Sequence, residues 1–157
     1  MTKGFTLIET IIAIFLLTAG VVGSFSLMQK VTSFTSISSS QFVASYLAQE
    51  GVEIIRNIRD TNYLERQTWD ADIGVGVGRL DYRSDGFPDA TCGNYLKYNE
   101  TTHVYICSTD PGSKFQRQIT ITKEPVLKKM VVSVDVSWSE GGLAHHVFAE
   151  TELYNWR

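Results

Sequence analysis

The sequence is poor in residues that stop or cross-link a chain. Of its 157 residues only three are Pro and two are Cys. Cys92 and Cys107 allow one intramolecular bridge and no disulfide framework. With no Cys-x-x-Cys and no spaced His pair, they do not form a zinc signature either. Neither His-Glu-x-x-His nor Gly-x-Ser-x-Gly occurs, so the common metallohydrolase and serine-hydrolase signatures are missing. A basic excess is missing too. The formal net charge is −3, with no sign of the clustered basic face of a nucleic-acid-binding domain, and no nucleic-acid partner is expected.

The most informative absence is local. From Phe5 to Met28 the only ionisable side chain is Glu9, in an otherwise apolar run. As a helix this segment spans roughly 36 Å, enough to cross a bilayer core. Lys3 lies on its amino side, so the positive-inside rule places the leader in the cytoplasm and the rest outside. A carboxylate in a membrane helix is costly unless it has a partner or a role. Gly4-Phe5, a small residue before a bulky one, marks a place for proteolysis where the polar leader meets the apolar helix. A secretory signal peptide is excluded because the apolar run follows the cut instead of preceding it. An ordinary single-pass anchor remains as an alternative, but it has no need of Glu9.

Gly4-Phe5-Thr6-Leu7-Ile8-Glu9, followed by an apolar helix, resembles the prepilin signature of type IV pilins and type II secretion pseudopilins. The resemblance implies cleavage between Gly4 and Phe5 by a membrane prepilin peptidase, which also N-methylates Phe5. Glu9 becomes the fifth residue of the mature chain, where the family keeps its assembly glutamate. Loss of Lys3 with the leader moves the side-chain balance from −3 to −4. The implied partners are other pilin subunits, the prepilin peptidase/methyltransferase, an inner-membrane assembly platform with its ATPase, and lipid before assembly. The implied location is the inner membrane, single-pass with the carboxy-terminal part extracytoplasmic, then a pilus or a periplasmic pseudopilus. The motif covers only the first fifth or so of the chain.

The rest of the chain reads as one globular domain over 29–157. No Pro or Gly interrupts Gln29 to Glu50. Apolar residues recur at helical spacing through Val31, Phe34, Ile37, Phe42, Tyr46, Leu47, Val52, Ile55 and Ile58, which predicts an amphipathic helix over 29–60 continuing the membrane helix of 5–28. The Ser/Thr-rich stretch Thr32 to Ser40 has poor helix propensity and is a candidate hinge. Asp60-Thr-Asn62 reads as the helix end. Residues 61–157 read as a loop and an antiparallel head. Gly74-Val-Gly-Val-Gly78 reads as a flexible turn, with no Lys-Ser/Thr to make it a phosphate loop. Asp81, Asp85 and Asp89 are oxygen ligands in a Gly-containing loop, but their spacing fits no calcium loop, and a solvated loop is the expectation. No metal and no cofactor is expected.

The last third is β. Phe115, Arg117, Ile119 and Ile121 alternate with polar residues, and Met130 to Trp138 is the clearest period-2 run. Ser139-Glu-Gly-Gly142 is a turn, and Leu143 to Leu153 a returning strand whose inward parity is ambiguous between Val147/Leu153 and Phe148. One weaker strand is expected, at Tyr95–Asn99 or at His103–Cys107. The order, long helix then antiparallel sheet, is α+β, and the helix stripe from Phe34 to Ile58 needs the sheet as its cover. This arrangement also resembles the pilins. The tail, Val134 to Trp138 and Leu153 to Trp156, resembles minor-pilin and pseudopilin ends.

Outside the membrane a Cys92–Cys107 bridge persists; two free or buried thiols are the alternative. His145 and His146 are adjacent on a strand and so face opposite ways, and His103 stands alone. Asn99-Glu-Thr101 fits the N-glycosylation sequon, although Lys97 sits where the bacterial version usually wants an acid. No catalytic constellation is legible, and no enzyme is expected. The expected function is a filament subunit, a minor pilin by its tail. The alternatives are a type II secretion or DNA-uptake pseudopilin and, in another class, a membrane-anchored extracytoplasmic binding domain that never polymerises.

Overall fold

A computed structural model describes residues 4, 6–124, 126 and 128–155. The chain is α+β, with one long amino-terminal helix and a carboxy-terminal antiparallel sheet, a pilin-like layout. Helix α1 spans Leu7–Leu64. It does not break in the Ser/Thr-rich stretch. The hydroxyls of Thr32 and Thr35 donate to the carbonyls of Met28 and Val31, one turn earlier, at 3.0 and 2.9 Å, so they are satisfied without taking the backbone out of the helix.

Packing divides the chain between Ser39 and Ser40. The first unit is the amino-terminal part of α1, and its described residues up to Ser36 are all exposed. The second unit begins at Ser40 and contains the core.

Within that second unit α1 buries Ser40, Ala44, Leu47, Ala48, Gly51, Val52, Ile55, Ile58, Arg59 and Asn62, a stripe of period 3.6. Five expected members are not in it: Val31 and Phe34 are exposed and Ile37 half-buried in the first unit, and Phe42 and Tyr46 are each 70% exposed. For the last two the reason is phase: at about 100° per residue Phe42 and Tyr46 lie roughly 160° from the centre of the buried stripe, on the opposite face of the helix. A Cβ on Gly51 would lie 3.0 Å from Val134 Cγ1 and 3.2 Å from Arg117 Cδ. On the sheet side the helix carries small residues, Ala44, Ala48 and Gly51, and there the two elements approach closely. Gly inside a helix costs about 1 kcal/mol relative to Ala; here a Cβ would have to push the Val134 and Arg117 side chains back by a few tenths of an ångström.

The helix also runs past Asp60. It ends in a Schellman motif: the Gln67 N–H donates to the Asn62 carbonyl (2.9 Å), the Arg66 N–H to the Tyr63 carbonyl (3.2 Å), and Arg66 takes φ +60°. That left-handed position usually holds Gly, and no Gly or Pro marks it here.

Six strands follow: β1 Gly76–Gly78, β2 Tyr95–Asn99, β3 Val104–Ser108, β4 Phe115–Glu124, β5 Lys129–Glu140 and β6 Leu143–Tyr154. The order is β3-β2-β4-β5-β6, and β1 pairs with β4 on the β2 side. The stretch read as a flexible turn therefore contains β1, with Gly76 opposite Ile121 and Gly78 opposite Ile119. A Cβ at Gly78 would stand 2.4 Å from Pro88 Cβ and 2.9 Å from the Phe87 ring, so only Gly fits. Strands form at both of the alternative positions and pair as a hairpin.

Strands β4 and β5 follow their alternation closely. Phe115, Arg117, Ile119 and Ile121 are buried, as are Met130, Val132, Val134, Val136 and Trp138. Gly141 and Gly142, at φ +62° and +78°, join β5 to β6 as a two-residue type I′ turn, the connection that matches strand twist. Burial of Leu153 and exposure of Phe148 settle the inward parity of β6.

Candidate functional site

The amino-terminal end of α1 is built by a cap. Thr6 accepts from the Glu9 N–H, with its carbonyl at 3.1 Å and its Oγ1 at 3.4 Å, and its carbonyl also accepts from the Thr10 N–H at 3.2 Å. Thr6 is thus the N-cap and Glu9 the third helical residue, the spacing of a capping box. Sequence reading passed over Thr6; the Thr-x-x-Glu signal before an apolar run would have found it. Gly4 is exposed just ahead of the cap. Phe5 lies outside the described residues. Glu9 is exposed in the first turn, where the positive end of the helix dipole favours a carboxylate.

From Leu7 on, α1 is an apolar rod. Its most apolar 18-residue window has a mean hydropathy of 2.3, and none of that window is buried. The polar atoms of the rod are turned inward on the helix. Thr10 Oγ1 donates to the Leu7 carbonyl (2.8 Å), Thr18 to Phe15 (2.9 Å), Ser24 to Gly20 (2.9 Å) and Ser26 to Val22 (3.1 Å). In hydrocarbon an unpaired hydroxyl is costly, and these bonds remove that cost. The rod is long and apolar enough to serve as a membrane anchor.

The head is tied together by buried polar contacts. Arg117 on β4 is 2% exposed. Its Nη1 donates to the Leu47 carbonyl and to Glu50 Oε2, and its Nη2 to the Leu80 carbonyl, each at 2.9 Å. One side chain thereby joins the helix, the sheet and the loop after β1. Tyr63 Oη donates to Asn155 Oδ1 at 2.8 Å, holding the end of the helix to the end of β6.

The acidic loop is structural. Asp81 is buried, and its carboxylate takes the Arg83 guanidinium, the Arg83 N–H (2.9 Å) and, at 2.9 Å, the Cys107 N–H of β3. Burial alone pushes the Asp81 carboxyl up, but the hydrogen bonds from Arg83 and Cys107 and the Arg83 charge outweigh it and hold the group below its ordinary value. Asp89 accepts from Ser84 Oγ (2.6 Å) and from the N–H and hydroxyl of Thr91, which lower its pKa in that order of partners. Among the described residues no group of three or more His, Cys, Asp or Glu converges. Cys92 and Cys107 are joined in a disulfide, which fixes this loop to β3 beside the Asp81 contact.

The remaining singled-out residues are dispersed. His145 stacks on Trp138 with ring centroids 5.2 Å apart, while His146 is exposed on the opposite face. His103 Nδ1 is 3.1 Å from Tyr98 Oη. Asn99 Oδ1 accepts from the N–H groups of Thr101 and Thr102 in the β2–β3 turn.

No protein family, no curated protein and no solved structure matches this chain.

Proposed function

We propose that the chain is a structural subunit of a type IV pilus or a related filament, a minor pilin by its tail. A prepilin peptidase releases it after Gly4 and N-methylates Phe5. Before assembly the apolar rod sits in the inner membrane with the β-rich head outside. An assembly platform and its ATPase then move the rod out of lipid into a fibre, where packing against other rods replaces lipid contacts. Glu9 pairs with the Phe5 ammonium of a neighbouring subunit and sets docking and register. A pseudopilus of type II secretion or DNA uptake would use the same parts.

The observation that carries this reading is the coincidence, within six residues, of a small–bulky junction at Gly4-Phe5, a helix cap at Thr6 and the one carboxylate of the rod at Glu9. An anchor needs none of the three in that order. The test is mass spectrometry of the protein from its own envelope. Met1 to Gly4 should be gone and the new terminus should be N-methyl-Phe5, while Gly4→Glu should block the cut. An intact Met1 in cells that carry the peptidase ends the reading and leaves a non-polymerising anchored domain.

A further inference from the structure

The two edges of the sheet are finished differently. Strand β3 is five residues long, and its edge is closed: the Cys107 N–H is taken by Asp81, and the Cys92–Cys107 disulfide fastens the loop against it. Strand β6 is twelve residues long. Its register with β5 runs from Lys129↔Tyr154 to Glu140↔Leu143 without a bulge. Among the described residues it pairs with β5 alone. Between Leu143 and Tyr154 there is no Pro, Gly, Lys or Arg. Sheet proteins ordinarily protect an edge with Pro, with charged side chains and Lys above all, with bulges or with short strands, and of these β6 has only Glu150 and Glu152. This fold protects β3 and leaves β6 open.

The side chains of β6 describe what would fit. On the inner face Val147 and Ala149 are only half-buried although they pack against the core. A further strand with apolar side chains on that face would finish their cover. On the outer face Phe148 is 64% exposed and is followed by Glu150 and Glu152, with Asp135 of β5 opposite Phe148. The cation beside this row is Lys129, whose Nζ is 2.8 Å from Glu152 Oε1. Glu150 accepts from Ser133 Oγ at 2.7 Å. The outer row is therefore net acidic, with an apolar ring at its centre.

We propose that the open edge of β6 docks an extended strand of another polypeptide whose side chains alternate between apolar and basic. Such a strand would add to the sheet through main-chain hydrogen bonds, which supply affinity. Its apolar row would cover Val147 and Ala149, its basic row would meet Glu150 and Glu152, and the alternation would supply specificity. The proposal stands independently of the filament reading, because it uses only the head.

The test uses the full-length chain in neutral-detergent micelles and hydrogen exchange of β6 amides. The probe is a synthetic peptide of about ten residues alternating Val and Lys, a usual strand length. It should slow exchange along Val147 to Glu152 by roughly tenfold or more, as expected when an open edge becomes a paired one. A block peptide of the same composition, and an alternating peptide N-methylated on its pairing amides, should give no protection. Glu150→Lys should lose the Val/Lys peptide and gain an alternating Val/Glu peptide, which separates a lost contact from a lost fold. The proposal is overturned by equal protection from the block or N-methylated peptide, or by no β6 protection at saturating peptide. It is also overturned by concentration-dependent β6 protection without peptide, which would put a second copy on this edge.

Discussion

Arg117 and Glu50 meet at 2.9 Å between the sheet and the helix, in a site that leaves the arginine 2% and the glutamate side chain 31% exposed. Burial pushes the guanidinium pKa down, and the Glu50 charge opposes that shift. Arg117 Nε has no partner among the described residues, so the direct compensation comes from Glu50 and the two carbonyls, with a smaller contribution from the Asp81 charge. Removing one partner of a buried pair typically costs 3–5 kcal/mol, far more than the intact pair contributes net. Because Glu50 keeps some hydration, Arg117→Met should cost about 3 kcal/mol, the lower end of that range. Arg117→Met with Glu50→Leu should recover part of the loss, since no charge is then left stranded. Chemical denaturation of the three variants decides it, and a single mutant as stable as wild type refutes the pinning role.

The disulfide closes a short loop, with Cys92 and Cys107 separated by 15 residues. A loop of that size is worth about 3 kcal/mol in the chain-entropy account. Cys107→Ser should lower the unfolding free energy by about that amount or somewhat less. Non-reducing peptide mapping of protein from the envelope should join the two residues, and free thiols there would contradict the bridge.

Asp81 makes stability depend on acid. Its carboxyl is held below the ordinary value of 3.8. A group depressed in the folded state contributes stability above its unfolded pKa and loses it as pH falls through the folded value. Wild type should therefore be destabilised progressively below about pH 4, the ordinary carboxyl range. Asp81→Asn should be less stable at neutral pH and should lack that part of the acid-dependent loss. Parallel acid titration curves for the two proteins would show that Asp81 does not carry the effect.

Glu9 separates a filament subunit from an anchor. In an anchor it only costs insertion energy, so Glu9→Leu should be neutral or improve membrane retention. In a fibre the buried Phe5 ammonium would lose its opposite charge, at a cost of about 3–5 kcal/mol. The variant should then be cleaved, remain in the membrane and fail to enter fibres. Glu9→Gln keeps size but not charge and should fail nearly as badly. The ratio of protein in sheared filaments to protein in the membrane is the measurement. If both variants incorporate like wild type, docking through Glu9 is wrong.

Several features were legible from local pattern alone. A long run with one carboxylate sets the apolar rod, because hydropathy needs no partner to be read. Strict alternation sets β4 and β5, because period 2 on a half-buried sheet has only one solution. The Gly141-Gly142 turn follows from residue chemistry, and the single Cys pair had only one partner to find. Tertiary structure decided the rest. The close Gly51–Val134 approach sets which face of the helix meets the sheet, and Phe42 and Tyr46 lie on the face away from it. The helix end at Arg66 carries no Gly, and the parity of β6 was undecidable until Leu153 found the core. Arg117 lay on the inward face of its strand by alternation, yet only the fold could supply the carbonyls and the carboxylate that make a buried guanidinium tolerable. A sequence specifies periods and local chemistry; distances between elements far apart in the chain are set only when the elements pack.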